Sequence, residues 1–142
     1  MIVPYQKENK GERKIGILDG KAAVKFMDDF EMTAEEIVKF ITDNYNTFKR
    51  LDLCVSGINY KIFVKQDNAV KVSITTADGK PIDGKKKYSV AMNSYMSTAY
   101  QLPTNDKGTG LGVTTTETVV SYLLKQNVVT YANPTRGDIV SL

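Results

Sequence analysis

Three times between Tyr60 and Met92, apolar and polar residues alternate with a period of two. Tyr60, Ile62 and Val64 alternate with Lys61, Phe63 and Lys65. Val70, Val72 and Ile74 alternate with Lys71, Ser73 and Thr75, and Tyr88, Val90 and Met92 with Ser89, Ala91 and Asn93. Side chains on a strand point alternately to opposite faces, so each run reads as a strand with one face buried. Gln66-Asp67-Asn68 turns the chain between the first two runs. Asp78-Gly79 and Pro81-Ile82-Asp83-Gly84 do so between the second and third. Strands joined by tight turns run antiparallel, so this chain must be built on a sheet. The third run ends on Asn93-Ser94-Tyr95, polar groups followed by an aromatic ring. That is the order of a strand that delivers a side chain to a site at its end.

Around these strands lie two helix signatures. Thr33-Ala34-Glu35-Glu36 is a capping box, in which Thr33 and Glu36 each accept from the other's backbone N–H. Ile37, Phe40, Ile41, Asn44/Tyr45 and Phe48 follow at helical spacing. This predicts a helix over 34–48, with Ile37, Phe40, Ile41 and Tyr45 facing the core and Lys49 and Arg50 suited to its negative C-terminal end. Thr114 with Glu117 is a second box, and Val119, Val120, Leu123 and Leu124 form the apolar face of a helix over 115–126, with Asn127 at its end.

Shorter signals fill in the rest. Ile15–Leu18 reads as a strand closed by Asp19-Gly20, and Ala22 to Met32 as a strand interrupted by a hairpin or bulge at Asp28-Asp29. Leu51 to Gly57 reads as a buried strand. Val128–Tyr131 and 137–140 read as short strands, separated by a turn at Asn133-Pro134. Residues 96–112, rich in Gly, Ser, Thr, Asn and Pro, read as a loop. The fold class is α+β: a mixed, mostly antiparallel sheet or sheets covered by two amphipathic helices, in one domain over 1–142. Residues 1–14 are a poorly ordered or edge segment.

Composition narrows the function. Among 142 residues there is one cysteine and no histidine. That removes Ser-His-Asp and Cys-His triads and histidine-based zinc sites. Cys54, in the apolar run 51–55, reads as a small buried core residue. Asp28-Asp29 is an acidic doublet with no neighbouring ligand set, and adjacent strand residues face opposite sides. The chain by itself is expected to be non-catalytic, without a cofactor of its own. A net charge of +3 spread along the chain is no nucleic-acid footprint. Lys85-Lys86-Lys87 reads as a solvated strand entrance. No apolar run approaches the roughly 18–20 residues of a membrane helix. The segment MIVPYQKENKGERK does not have the pattern of a signal peptide.

Three motifs invite functional readings. Gly108-Thr109-Gly110-Leu111-Gly112 lacks the Gly-Lys-Ser/Thr of a phosphate-binding loop and reads as a flexible connector. Arg136-Gly137-Asp138 reads as a turn before the last strand. Tyr95 and Tyr100 offer flat rings on which a planar ligand can stack; the alternative for a Tyr after a strand is the half-buried edge of a core.

Three blocks in order carry a resemblance: Val55-Ser56-Gly57-Ile58-Asn59-Tyr60, Asp78-Gly79-Lys80-Pro81-Ile82-Asp83 and Tyr88-Ser89-Val90-Ala91-Met92-Asn93-Ser94-Tyr95. With Phe30-Glu31-Met32-Thr33-Ala34-Glu35-Glu36-Ile37, similar to a strand-into-helix segment ELTGEEL, they resemble the C-terminal domain of the 5′-nucleotidase / UDP-sugar hydrolase family over about 24–140. The resemblance implies a metallophosphatase domain, in the same or a separate chain, that holds two divalent metals and hydrolyses the substrate. It implies that this domain binds the nucleoside or nucleotide, weakly, without catalysis of its own. Tyr95 corresponds to the base-stacking aromatic, Asn93 supports it from the same motif, and Tyr100 assists from the following loop. The family's GGDGY is replaced by Thr98-Ala99-Tyr100-Gln101-Leu102, and its Gly-Gly-x-Arg and Pro-Phe-x-Asn have no match. The other reading is therefore a degenerate member acting as a structural or protein-interaction module. The resemblance also implies an extracytoplasmic location, periplasmic, surface-bound or secreted.

Overall fold

Thr33 opens a helix as its capping box predicts. The Thr33 hydroxyl accepts from the backbone N–H of Glu36 at 3.2 Å, and the Glu36 carboxylate accepts from the N–H of Thr33 at 2.7 Å. The helix, α1, spans Ala34–Phe48 and buries Ile37, Phe40, Ile41, Asn44 and Tyr45 on one face. Lys49 closes it in the left-handed region at φ 53°, its N–H bonded to the carbonyl of Tyr45 at 2.7 Å. Glycine usually fills that position because it carries no Cβ penalty there.

The computed structural model describes residues 2–6, 13–17, 26–126, 128 and 136–142. In chain order its other elements are β1 (Ile2–Gln6), β2 (Arg13–Ile17), β3 (Phe26–Thr33), β4 (Ile58–Val64), β5 (Val70–Thr76), β6 (Lys87–Asn93), α2 (Ser94–Ala99), β7 (Thr109–Thr114), α3 (Thr115–Leu124) and β8 (Gly137–Ser141). The chain is α+β, with three small sheets ordered β1-β2, β6-β3-β7 and β5-β4-β8. It divides into two compact units, one of residues 1–29, 91–99 and 109–130, the other of 30–90, 100–108 and 131–142.

The second unit holds most of the core. Strands β4 and β5 form the hairpin that their alternation predicts, in register from Ile58↔Thr76 to Val64↔Val70. Asn68 takes φ 62° in the turn. Tyr60, Ile62 and Val72 point inward and are buried, as are Phe30, Met32 and the apolar face of α1. Each such side chain contributes about 1.5–3 kcal/mol by leaving water. On its other edge β4 pairs with β8 in parallel, Tyr60↔Gly137 to Val64↔Ser141. Both edges of β4 are thus occupied, and Leu51–Gly57, expected as a buried strand, has no regular structure. Only Leu53 of that segment is buried, and Cys54, expected in the core, is exposed. Gly137 and Asp138 lie in β8 itself rather than in a turn before it.

In the first unit β1 and β2 form an antiparallel pair from Ile2↔Ile17 to Gln6↔Arg13. The segment 1–14, expected at an edge or poorly ordered, holds β1 and the start of β2. Strand β3 pairs with β7 antiparallel, with a register shift between Phe26 and Asp28 in which residues 111–113 of β7 face Met27; Asp28 and Asp29, where a hairpin or bulge was expected, are themselves paired in register with Gly110 and Thr109. The loop expected over 96–112 is instead α2, a connection over 100–108, and β7. Glycine is depleted in strands by propensity, so Thr109–Thr114 is a strand only because β3 pairs with it. Thr114 and Glu117 form the second capping box, with bonds of 3.1 and 2.8 Å. No residue of α3 is buried, and Leu124, expected on its core face, is 81% exposed. The turns at Asp19-Gly20 and Asn133-Pro134, the helix end at Asn127, and most of Val128–Tyr131 lie outside the described residues. Among the described residues no helix is long and apolar enough to cross a membrane.

Candidate functional site

Strand β6 buries Met92 and half-buries Tyr88 and Val90, while Ser89 and Ala91 face outward. It passes directly into α2 because Asn93 caps that helix: its side-chain oxygen accepts from the backbone N–H of Met96 at 3.0 Å. This satisfies a donor that a helix start leaves open. Tyr95 stands in the first turn of α2 and is 53% exposed. Further along the helix the Ser97 hydroxyl lies 2.7 Å from Asp28 Oδ2. Asp28, Asn93, Tyr95, Met96 and Ser97 all belong to the first unit.

Tyr100 belongs to the second unit, and it is engaged on both ring and hydroxyl. Its ring centroid lies 5.7 Å from that of Phe48 and 6.1 Å from that of Phe40, tilted by 58° and 47°. Its hydroxyl donates to Asp52 Oδ2 at 3.0 Å, while Asp52 Oδ1 takes both Nε and Nη2 of Arg50 at 3.1 and 3.0 Å. The Tyr100 hydroxyl foremost, and then Arg50, hold the Asp52 carboxyl below the usual carboxylate range against the cost of its desolvation. The structure therefore brings Asn93 and Tyr95 together on one strand-to-helix junction. It builds Tyr100 into the packing on α1.

The connection after Tyr100 is fastened down rather than loose. At Glu31, beyond the last β3–β7 pair, Asp106 Oδ2 accepts the Glu31 N–H at 2.7 Å and the Thr104 hydroxyl donates to the Glu31 carbonyl at 3.2 Å. Side chains of the loop thus satisfy backbone groups that a neighbouring strand would otherwise take. Asp106 Oδ1 also accepts the Gly108 N–H at 3.1 Å. These backbone donors, Glu31 first, push the Asp106 carboxyl down. Gly108 has φ +73°, and a Cβ there would fall 2.4 Å from the Phe30 ring. The glycine expected in a flexible connector is thus a packing requirement. Lys87, last of the three lysines, pairs with Glu31 at 3.1 Å, and that carboxylate raises its pKa. Asp28, Ser97, Thr104 and Asp106 escape sequence reasoning because their partners lie 69, 73 and 75 residues away along the chain. Among the described residues no three His, Cys, Asp or Glu side chains converge on a metal position.

Residues 25–102, more than half of the chain and including Asn93, Tyr95 and Tyr100, match the family described as 5′-nucleotidase, C-terminal domain. The chain belongs to that family. Solved structures agree on the fold of this 5′-nucleotidase C-terminal domain. A 5′-nucleotidase precursor from Thermus thermophilus superposes with a TM-score of 0.64 at 18% identity, covering 82% of this chain and 25% of that one. A putative 5′-nucleotidase from Staphylococcus aureus, solved in complex with alpha-ketoglutarate, gives 0.57 at 15% identity, covering 82% and 27%. The domain thus spans about a quarter of the length of either protein. No curated protein sequence matches it.

Proposed function

We propose that this 5′-nucleotidase C-terminal domain recognises a nucleoside or nucleotide, with the base stacked on Tyr95. The observation that carries this reading is the exposed Tyr95 ring at the Asn93-capped junction of β6 and α2. Asn93 holds the junction. Tyr100, with its ring on Phe40 and Phe48, assists by fixing the segment that follows α2. Hydrolysis belongs to a metallophosphatase domain with two divalent metals, in the same or a separate chain, and this chain is non-catalytic without it. The location is extracytoplasmic, in keeping with the description of the Thermus relative as a precursor.

One stacked base is worth about 1–3 kcal/mol, and millimolar affinity corresponds to about −4 kcal/mol, so binding by the domain alone is weak. The test is NMR titration with adenosine, uridine and AMP to millimolar concentration. Shifts are expected around Asn93–Gln101 and are lost in Tyr95→Ala. An absence of shifts overturns the reading. It would favour the second reading, a protein-interaction module, which the exposure of Leu111, Val113, Tyr122 and Leu124 in the first unit supports.

A further inference from the structure

Helix α2 has six residues and buries none of them. Isolated helices below about 12–15 residues are marginal in water, so α2 takes its position from its anchors. Asn93 fixes where the helix starts. One contact that ties it sideways to the sheet is Ser97 with Asp28 of β3. The Ser97 hydroxyl carries one proton and lies 2.7 Å from Asp28 Oδ2 and 3.1 Å from the Ser94 carbonyl. The carboxylate is nearer and charged, and a charged acceptor makes the stronger bond.

The geometry gives this bond a lever on Tyr95. At 3.6 residues per turn, Ser97 lies about 200° around the helix from Tyr95. A bond that draws Ser97 onto β3 therefore turns Tyr95 away from the sheet toward solvent, where its ring stands 53% exposed. Asp28 stands directly across from Gly110, where regular pairing holds after a register shift in which residues 111–113 of β7 face Met27 alone. The irregularity re-aims the side chains beside it, and a Cβ on Gly110 would stand 3.8 Å from Asp28 Oδ1, in ordinary contact.

We propose that Asp28 and Ser97 are a positioning pair that sets the rotation of α2 and thereby aims Tyr95 at its ligand. This rests on the reading that Tyr95 is the stacking ring. Asp28 touches no ligand in this scheme; it acts through Ser97.

The test uses the whole chain with Ser97→Ala, Asp28→Ala, the double variant and the conservative Ser97→Thr. In the free protein, Cα secondary shifts and 15N heteronuclear NOEs of residues 94–99 report the helix. Adenosine titration reports the ligand, and urea midpoints report global stability. Both alanine variants are expected to lose helical shift and NOE in 94–99 and to weaken adenosine about tenfold, the order of one charged hydrogen bond. The double variant should be no worse than either single one, and Ser97→Thr should restore both readouts. Unchanged shifts and NOEs in the alanine variants overturn the proposal whatever adenosine does, and so does unchanged affinity beside a wild type that binds. A wild type that does not bind adenosine overturns the stacking reading instead, while the ligand-free NMR still decides whether the pair orients α2.

Discussion

Gly137 stands against the ring of Tyr60: a Cβ built on it would fall 2.6 Å from Cζ and 2.8 Å from the hydroxyl oxygen. Tyr60 is buried, and its hydroxyl donates to the Leu53 carbonyl at 2.8 Å. One ring thus joins β4, β8 and the irregular segment after α1. Gly137→Ala is expected to destabilise by about 1–3 kcal/mol, the usual cost of overpacking, as a lower urea midpoint with little change in slope.

Burial raises the Tyr60 hydroxyl above its ordinary 10.0. A folded-state pKa above the unfolded one contributes stability that is fully present below the unfolded value and is lost as pH rises through the folded value. Tyr60→Phe is expected to cost about 1–2 kcal/mol at neutral pH, because the Leu53 carbonyl loses its donor. The difference between wild type and variant should shrink above about pH 10. Urea midpoints of both proteins across the alkaline range check this.

Asp106 works with the opposite sign. Its carboxyl is held below the ordinary 3.8 by the N–H groups of Glu31 and Gly108. Its contribution is present above that value and is lost as pH falls through the lowered one. Asp106→Ala should therefore flatten the acid side of the stability profile. It should also speed amide exchange at Glu31 and Gly108.

The capping box of α1 gives a local test. Thr33→Ala removes the acceptor for the Glu36 N–H and is expected to cost about 1 kcal/mol. Urea denaturation followed by circular dichroism measures it.

Tyr95 and Tyr100 should separate cleanly. Tyr95→Ala removes an exposed ring and should change stability by less than about 0.5 kcal/mol while abolishing the nucleoside-induced shifts. Tyr100→Ala removes its ring contacts with Phe40 and Phe48. At about 0.5–1.5 kcal/mol for each aromatic pair, it should destabilise by about 1 kcal/mol or more. Paired denaturation and titration of the two variants check the division.

Features with local causes were legible in the residues. Helix α1 spans the residues its capping box and apolar spacing mark, and the β4–β5 hairpin keeps the register its alternation implies. Strand β6 was legible up to Asn93, because burial by period two shows in the string itself. Helix α2 was not, since its cap is a single Asn in a polar stretch and its sideways anchor is Asp28, far away in the chain. Leu51–Gly57 misled because an apolar run signals burial but cannot show that both edges of β4 are already paired.

The α+β class, the two capped helices, the tight hairpin and the absence of histidine chemistry all follow from residue types or from residues within a few positions of each other. Long-range pairing alone sets β8 parallel beside β4, makes Thr109–Thr114 a strand, packs Tyr100 on α1 and brings Asp28 to Ser97. Those outcomes depend on backbone and side-chain groups that distant segments leave to be satisfied, and no local pattern records which distant partner will satisfy them.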